Sequence, residues 1–197
     1  MRKMNTMPEK REELKKALKG EVGDNPFSDL FAVTMSSKTW EICGEGVLDA
    51  LEERGVDLSK VGAVGALSPA GVPLVGCCMA AAKKRGLNFD GFSMDFVYPS
   101  LKGPLVEGKN VVLIDAWISD LGYIQTSSLV TLTEHQELEL DWSIVKDAGA
   151  HVLAVASLVA GSEEGQIPED LDLKDVNTGE EKRVPFAYAF CKKSLEG

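Results

Sequence analysis

No apolar run in this chain approaches the roughly 20 residues of a membrane-spanning helix. The first residues, MRKMNTMPEKREELKK, lack the apolar centre of a secretory signal, so the expectation is a cytoplasmic protein with no membrane partner. Basic residues are scarce: 21 Lys and Arg stand against 31 Asp and Glu, a formal net charge of −10. Such a surface repels phosphate backbones and anionic lipid, and the short cluster Lys83-Lys84-Arg85 does not reverse it. No nucleic-acid partner is expected. Cysteine is sparse and badly spaced for chemistry. Cys43, Cys77, Cys78 and Cys191 contain no CxxC pair, and two of them adjoin inside an apolar, helix-like stretch, so they read as small core residues. With His135 and His151 as the only histidines, a structural zinc site is not expected either.

The 44% hydrophobic and 26% charged residues suit a soluble globular chain, and 197 residues suit a single domain with a substantial core. Residues 8–19 begin with Pro8 and acids and stop before Gly20, a helix signature whose apolar stripe is Leu14, Ala17 and Leu18. A short strand is expected over 30–34 and a helix over 38–54, where Trp40, Cys43, Val47, Leu48 and Leu51 recur at helical spacing. Strands are expected at 61–67, 91–98, 110–118 and 151–159, with helices at 74–85 and 138–148. Residues 162–182 read as a solvated excursion, and 184–191 as one more strand at the sheet edge or in a cover. Strands separated by helices imply an α/β fold: a parallel sheet of four to five strands flanked by helices. Its core spans about 60–160, with a small cover from the N-terminal segment, about 1–58, and the C-terminal segment.

The most telling stretch is NVVLIDAWISDLGYIQTSS, residues 110–128. Val111 to Ile114 form a buried-strand run, and Asp115 stands where that run stops, at the edge where open α/β sheets bind ligands. Upstream, VGAVGALSPAGVPLVGCCMAAAKKRG, residues 61–86, places Ala70, Gly71, Val72, Pro73 and Leu74 between an apolar strand and an Ala-rich helix. Amides of such a turn can face an anion at a helix N-terminus. The same turn also serves as a plain strand-to-helix connection.

These segments, together with LKGPLVEGKNVVLID (101–115) and DAGAHVLAVASLV (147–159), resemble in order and spacing the type I phosphoribosyltransferases, closest to the orotate branch. The resemblance covers roughly residues 60–160. It implies that Asp115 holds ribose hydroxyls, that Ala70, Gly71 and Val72 line the pyrophosphate side, and that Ser119 and Gly122 belong to the phosphate loop. Mg²⁺ is implied only for an active enzyme, with Asp115 reaching it through the ribose. A homodimer is implied too.

Three departures weaken the catalytic reading. The family's second acid is Ala116, a hydroxylated loop position is Asp120, and residues 92–108, in the place of a cation-bearing mobile loop, hold one basic residue, Lys102. If Ser119 to Gly122 is instead a hairpin turn, Thr126, Ser127 and Ser128 offer hydroxyls to a phosphate; on a polar strand face they do not. The expectation is therefore a degenerate phosphoribosyltransferase-like protein that binds a phosphoribosyl or nucleotide-like ligand with little or no transfer. The alternative is an active enzyme using phosphoribosyl pyrophosphate and orotate or a related base.

Overall fold

The computed structural model describes residues 7–22, 29–95, 98–119, 140–161 and 167–196. The helices are α1 (Met7–Val22), α2 (Phe31–Thr34), α3 (Trp40–Glu53), α4 (Val72–Lys84) and α5 (Ser143–Asp147). The strands are β1 (Ala63–Ala66), β2 (Asp90–Asp95), β3 (Ser100–Lys102), β4 (Asn110–Ser119), β5 (Leu140–Asp141), β6 (His151–Gly161), β7 (Asp170–Lys174) and β8 (Glu181–Cys191). Among the described residues one sheet of eight strands runs in the order β3-β2-β1-β4-β6-β8-β7-β5, wider than the four or five expected. Its centre, β2-β1-β4-β6-β8, is wholly parallel, while β3 and β7 run antiparallel to their inner neighbours.

Both faces of the central strands are covered, which is why their sequences are continuous apolar runs with no alternation. On one face Leu14 and Leu18 of α1, Val47, Leu48 and Leu51 of α3, and Leu74, Cys77 and Cys78 of α4 pack on Val64, Val112, Ile114, Ala116, Ala154, Ala156 and Ala187. Cys43, Cys77 and Cys78 of that layer are buried free thiols, and burial pushes the Cys77 thiol up to about 12. The other face is covered by Val106, Trp142, Ile144 and Val145, which pack against Val111, Leu113, Val152, Val155, Val184 and Phe186.

Four expectations need correction. Residues 31–34 are one helical turn, not a strand, because Asp29 Oδ1 accepts the Phe31 amide (2.9 Å) and the Thr34 hydroxyl donates to the Leu30 carbonyl (3.1 Å). Within the expected helix 138–148, Leu140–Asp141 pairs with β7 and only Ser143–Asp147 is helical, started where the Asp141 carboxylate accepts the Ser143 amide at 2.9 Å. Residues 138 and 139 lie outside the described residues. The excursion 162–182 contains β7, whose Leu173 is buried and whose pairing with β8 places β8 inside the sheet, not at its edge. In the stretch 92–108, β3 folds back on β2, so this segment extends the sheet.

Candidate functional site

β1 ends at Ala66, opposite Ile114, and the chain turns away through a 3₁₀ turn, Pro69–Gly71, into α4. The Leu67 amide makes the last link to β4, donating to the Ile114 carbonyl at 2.9 Å. Asp115 is therefore the first β4 residue without a β1 neighbour. It does not end its strand, however: apolar Ala116, Trp117 and Ile118 carry β4 on to Ser119 because β6 runs alongside as far as Gly161.

The turn closes over the acid. Ser68 Oγ donates to Asp115 Oδ1 at 2.9 Å and itself accepts the Ala70 amide at 3.2 Å, while the Ala116 amide donates to the same Oδ1 at 2.7 Å. A β-carbon on Gly71 would lie 2.8 Å from the Ile114 carbonyl oxygen, a measure of how tightly the turn backbone lies on β4. Ala70, Gly71 and Val72 are thus brought to Asp115 at one edge of the sheet, at the start of α4, where the Val72 amide donates to the Pro69 carbonyl and Pro73 has no N–H.

Ser119 is not part of this cluster. Four residues along β4, roughly 13 Å away at strand spacing, it is buried at the far end of the strand near Gly161. Gly122, Thr126, Ser127 and Ser128 lie outside the described residues. Ala116, where the family has a second acid, projects from the opposite face into the apolar layer under the helices, since successive strand residues alternate.

Asp115 is only 3% exposed, and burial pushes its carboxyl up to about 6, against the pull of the hydrogen bonds from Ser68 and Ala116. The folded state thus holds a proton that the unfolded chain releases near pH 4. The contribution of Asp115 to stability is greatest below that pH and is lost as pH rises through 6, by about 3 kcal/mol at 1.36 kcal/mol per pH unit. Asp115→Asn removes this dependence. Urea melts should show the variant gaining on the parent by about 3 kcal/mol between pH 4 and pH 8; parallel curves across that range would refute the buried-acid account.

Two further buried polar groups lie nearby, of which only Trp117 stands out in the sequence, as an aromatic beside a strand end. Ser157 on β6 is in register with Asp115 on one side and Tyr188 of β8 on the other, and its fully buried hydroxyl has no hydrogen-bond partner among the described residues. Further along β4, Trp117 is 7% exposed and its indole N–H has no partner among the described residues. Each such group costs about 1–3 kcal/mol when left unmade. For Ser157 the available signal was a lone hydroxyl inside an apolar run, HVLAVASLV.

No protein-family model matches the sequence, and no curated protein matches it. Solved structures do match the fold. Orotate phosphoribosyltransferase of Mycobacterium tuberculosis H37Rv, in complex with inorganic phosphate, superposes with a TM-score of 0.61 at 16% identity, over 94% of this chain and 98% of that one. A phosphoribosyltransferase from Corynebacterium diphtheriae gives 0.58 at 19% identity over 94% and 98%. The orotate phosphoribosyltransferase of Aeropyrum pernix gives 0.50 at 12% identity over 86% and 80%. At these identities the likeness is one of fold: a mostly parallel α/β sheet flanked by helices, as in the type I phosphoribosyltransferases.

Proposed function

We propose that this chain is a phosphoribosyltransferase-like protein that binds a phosphoribosyl or nucleotide-like ligand at Asp115 and transfers little or nothing. The observation that carries the reading is the clamp of the Ser68–Gly71 turn on a buried carboxylate beside the first turn of α4. A carboxylate there accepts from sugar hydroxyls, and the N-terminal end of a 13-residue helix favours an anion through its dipole. Among the described residues no group of three or more His, Cys, Asp or Glu side chains is placed to hold a metal. A lone buried acid does not make a Mg²⁺ site of protein ligands.

Calorimetric titration with phosphoribosyl pyrophosphate plus Mg²⁺, and separately with nucleoside monophosphates, tests the reading. At least one should bind, and Asp115→Ala should weaken it by about tenfold or more, the scale of one charge-assisted hydrogen bond. Silence with every ligand would refute it.

A homodimer is part of the proposal. Trp40, Val72 and Met79 are exposed along one side of α3 and α4, and Tyr98 and Leu105 in the 92–108 region are 75% and 86% exposed. Scattered apolar residues are ordinary, but a contiguous set on one helix face marks a contact surface. Light scattering at micromolar concentration should give twice the 21.2 kDa chain mass, and Met79→Glu combined with Leu105→Glu should return the single mass. A parent protein that already scatters as one chain would remove the dimer from the proposal.

A further inference from the structure

β7 accompanies β8 only as far as Pro185, and beyond that point β8 borders a cavity of about 550 Å³. Phe186, Tyr188 and Phe190 of β8 meet there with Arg11 and Lys15 of α1 and with Arg54, the residue that ends α3. The volume falls within the roughly 300–1,000 Å³ of small-molecule sites. β6 separates β8 from β4, so the cavity stands two strands, roughly 10 Å, to the side of Asp115, which does not line it. Its cations are incompletely satisfied. Arg54 Nη2 donates to the Glu169 carbonyl, but the carboxylates of Glu169 and Asp170 stand 3.8 Å from the guanidinium, beyond hydrogen-bond length, and Arg54 Nε is buried with no acceptor among the described residues. Arg11 is 3.7 Å from Glu53, with its guanidinium 5.6 Å from the Phe190 ring centroid, and Lys15 has no ion-pair partner among the described residues. Glu12, Glu53 and Glu169 share the rim, yet Glu53 and Glu169 are 65% and 86% exposed and stand in water, while Arg54, at 32%, reaches inward.

We propose that this cavity binds an aromatic carboxylate, its ring against Tyr188 and Phe190 and its single charge among Arg11, Lys15 and Arg54. The inference is independent of the Asp115 reading. A guanidinium fork matches the two oxygens of a carboxylate, and an arginine whose present acceptors are a carbonyl and two distant carboxylates gains by closing on a nearer one. The aromatic and aliphatic lining supplies a surface for a flat apolar ring. Three cations already face three carboxylates around the rim, so one added negative charge is accommodated where a dianion such as phosphate meets repulsion. Charge and ring are therefore both required.

Cys191 supplies the readout, because it lines the cavity and is partly exposed, whereas Cys43, Cys77 and Cys78 are buried. Iodoacetamide should alkylate Cys191 in the native protein at a rate followed by mass spectrometry. At constant ionic strength 2-naphthoate should slow that reaction saturably, with half-protection at about 1 mM or below. 2-Naphthamide, which keeps the ring and lacks the charge, and inorganic phosphate, which has the charge and lacks the ring, should not protect. Arg54→Gln should raise the half-protecting concentration about tenfold. Lys15→Gln, which removes no ion pair among the described residues, should shift it in the same direction and carries the test if Arg54→Gln does not fold. Asp115→Ala should leave protection unchanged, whatever it does to nucleotide binding. Equal protection by the amide or by phosphate would overturn the proposal, as would protection undiminished in folded variants. A Cys191 that resists iodoacetamide in the ligand-free protein would show the cavity closed and overturn it too.

Discussion

Gly44→Val should leave no cooperatively folded protein at 25 °C. α3 and α4 cross at Gly44, where an added β-carbon would stand 2.1 Å from the Cys77 carbonyl oxygen, 2.4 Å from its carbon and 3.0 Å from the Cys78 nitrogen. All three atoms are backbone, so no rotamer change relieves the clash and the helices must part. Parting them unpacks Cys43, Leu48, Leu74 and Cys78, which are fully buried between the helices and the sheet. Overpacking a core costs about 1–3 kcal/mol when side chains can adjust, and more when backbone must shift. Against a typical stability of about 5–15 kcal/mol, that is a large fraction for alanine and most of the total for valine. Gly20→Ala in α1 is the control: nothing lies within 4 Å of its β-position, and alanine is favoured over glycine in a helix by about 1 kcal/mol. Urea denaturation followed by circular dichroism separates the two, and a Gly44→Val midpoint within error of the parent would show that the crossing is looser than drawn. The consequence reaches the site, because α4 carries the Ser68–Gly71 turn that holds Asp115.

What could be read in the sequence was what local pattern determines. The runs Val111–Ile114 and Val152–Val159 lie on central strands, and the helices at 40–53 and 72–84 end before Gly55 and Gly86, both in the left-handed region that favours glycine. The turn beside Asp115 was legible because Gly, Pro and a following Ala-rich helix leave few other paths. The rest depended on neighbours distant in sequence. Residues 30–34 are too short an apolar run for periodicity to separate a turn of helix from a strand, and a side chain, Asp29, decided it. The uninterrupted apolar run stops at Asp115 within a strand expected over 110–118, and that strand runs on to Ser119 because β6 supplies a partner there. That continuation also explains the missing second acid. Position 116 faces the apolar layer, where a carboxylate would have no water and no cation, and the groups flanking Asp115 come instead from Ser68 and, across the ladder, Ser157.

Phosphoribosyl transfer from phosphoribosyl pyrophosphate to orotate should be absent or very slow in the purified protein with Mg²⁺. Charge builds on the departing pyrophosphate in such a transfer, so cations near it are central to the rate. In the 92–108 segment the one cation, Lys102, lies on β3 and pairs with Asp95 at 3.7 Å. The one acid at this end of β4 is Asp115, held by Ser68 and the Ala116 amide. Asp120, outside the described residues, adds a negative charge to the loop sequence where a dianion would have to sit. Each lost transition-state contact costs about 10² to 10³ in rate, and three losses together leave little turnover. Restoring the acid should not help. In Ala116→Asp the new carboxylate would enter the layer beneath α3 and α4, destabilising the fold without gaining activity, because the face and not merely the residue type is wrong for catalysis. The decisive measurement is pyrophosphate release with orotate: a robust Mg²⁺-dependent rate, abolished by Asp115→Ala, would establish the active-enzyme alternative. A rate indistinguishable from buffer, alongside calorimetric binding of a nucleotide, is the result expected of a fold that keeps the ligand's seat after the catalytic charges have gone.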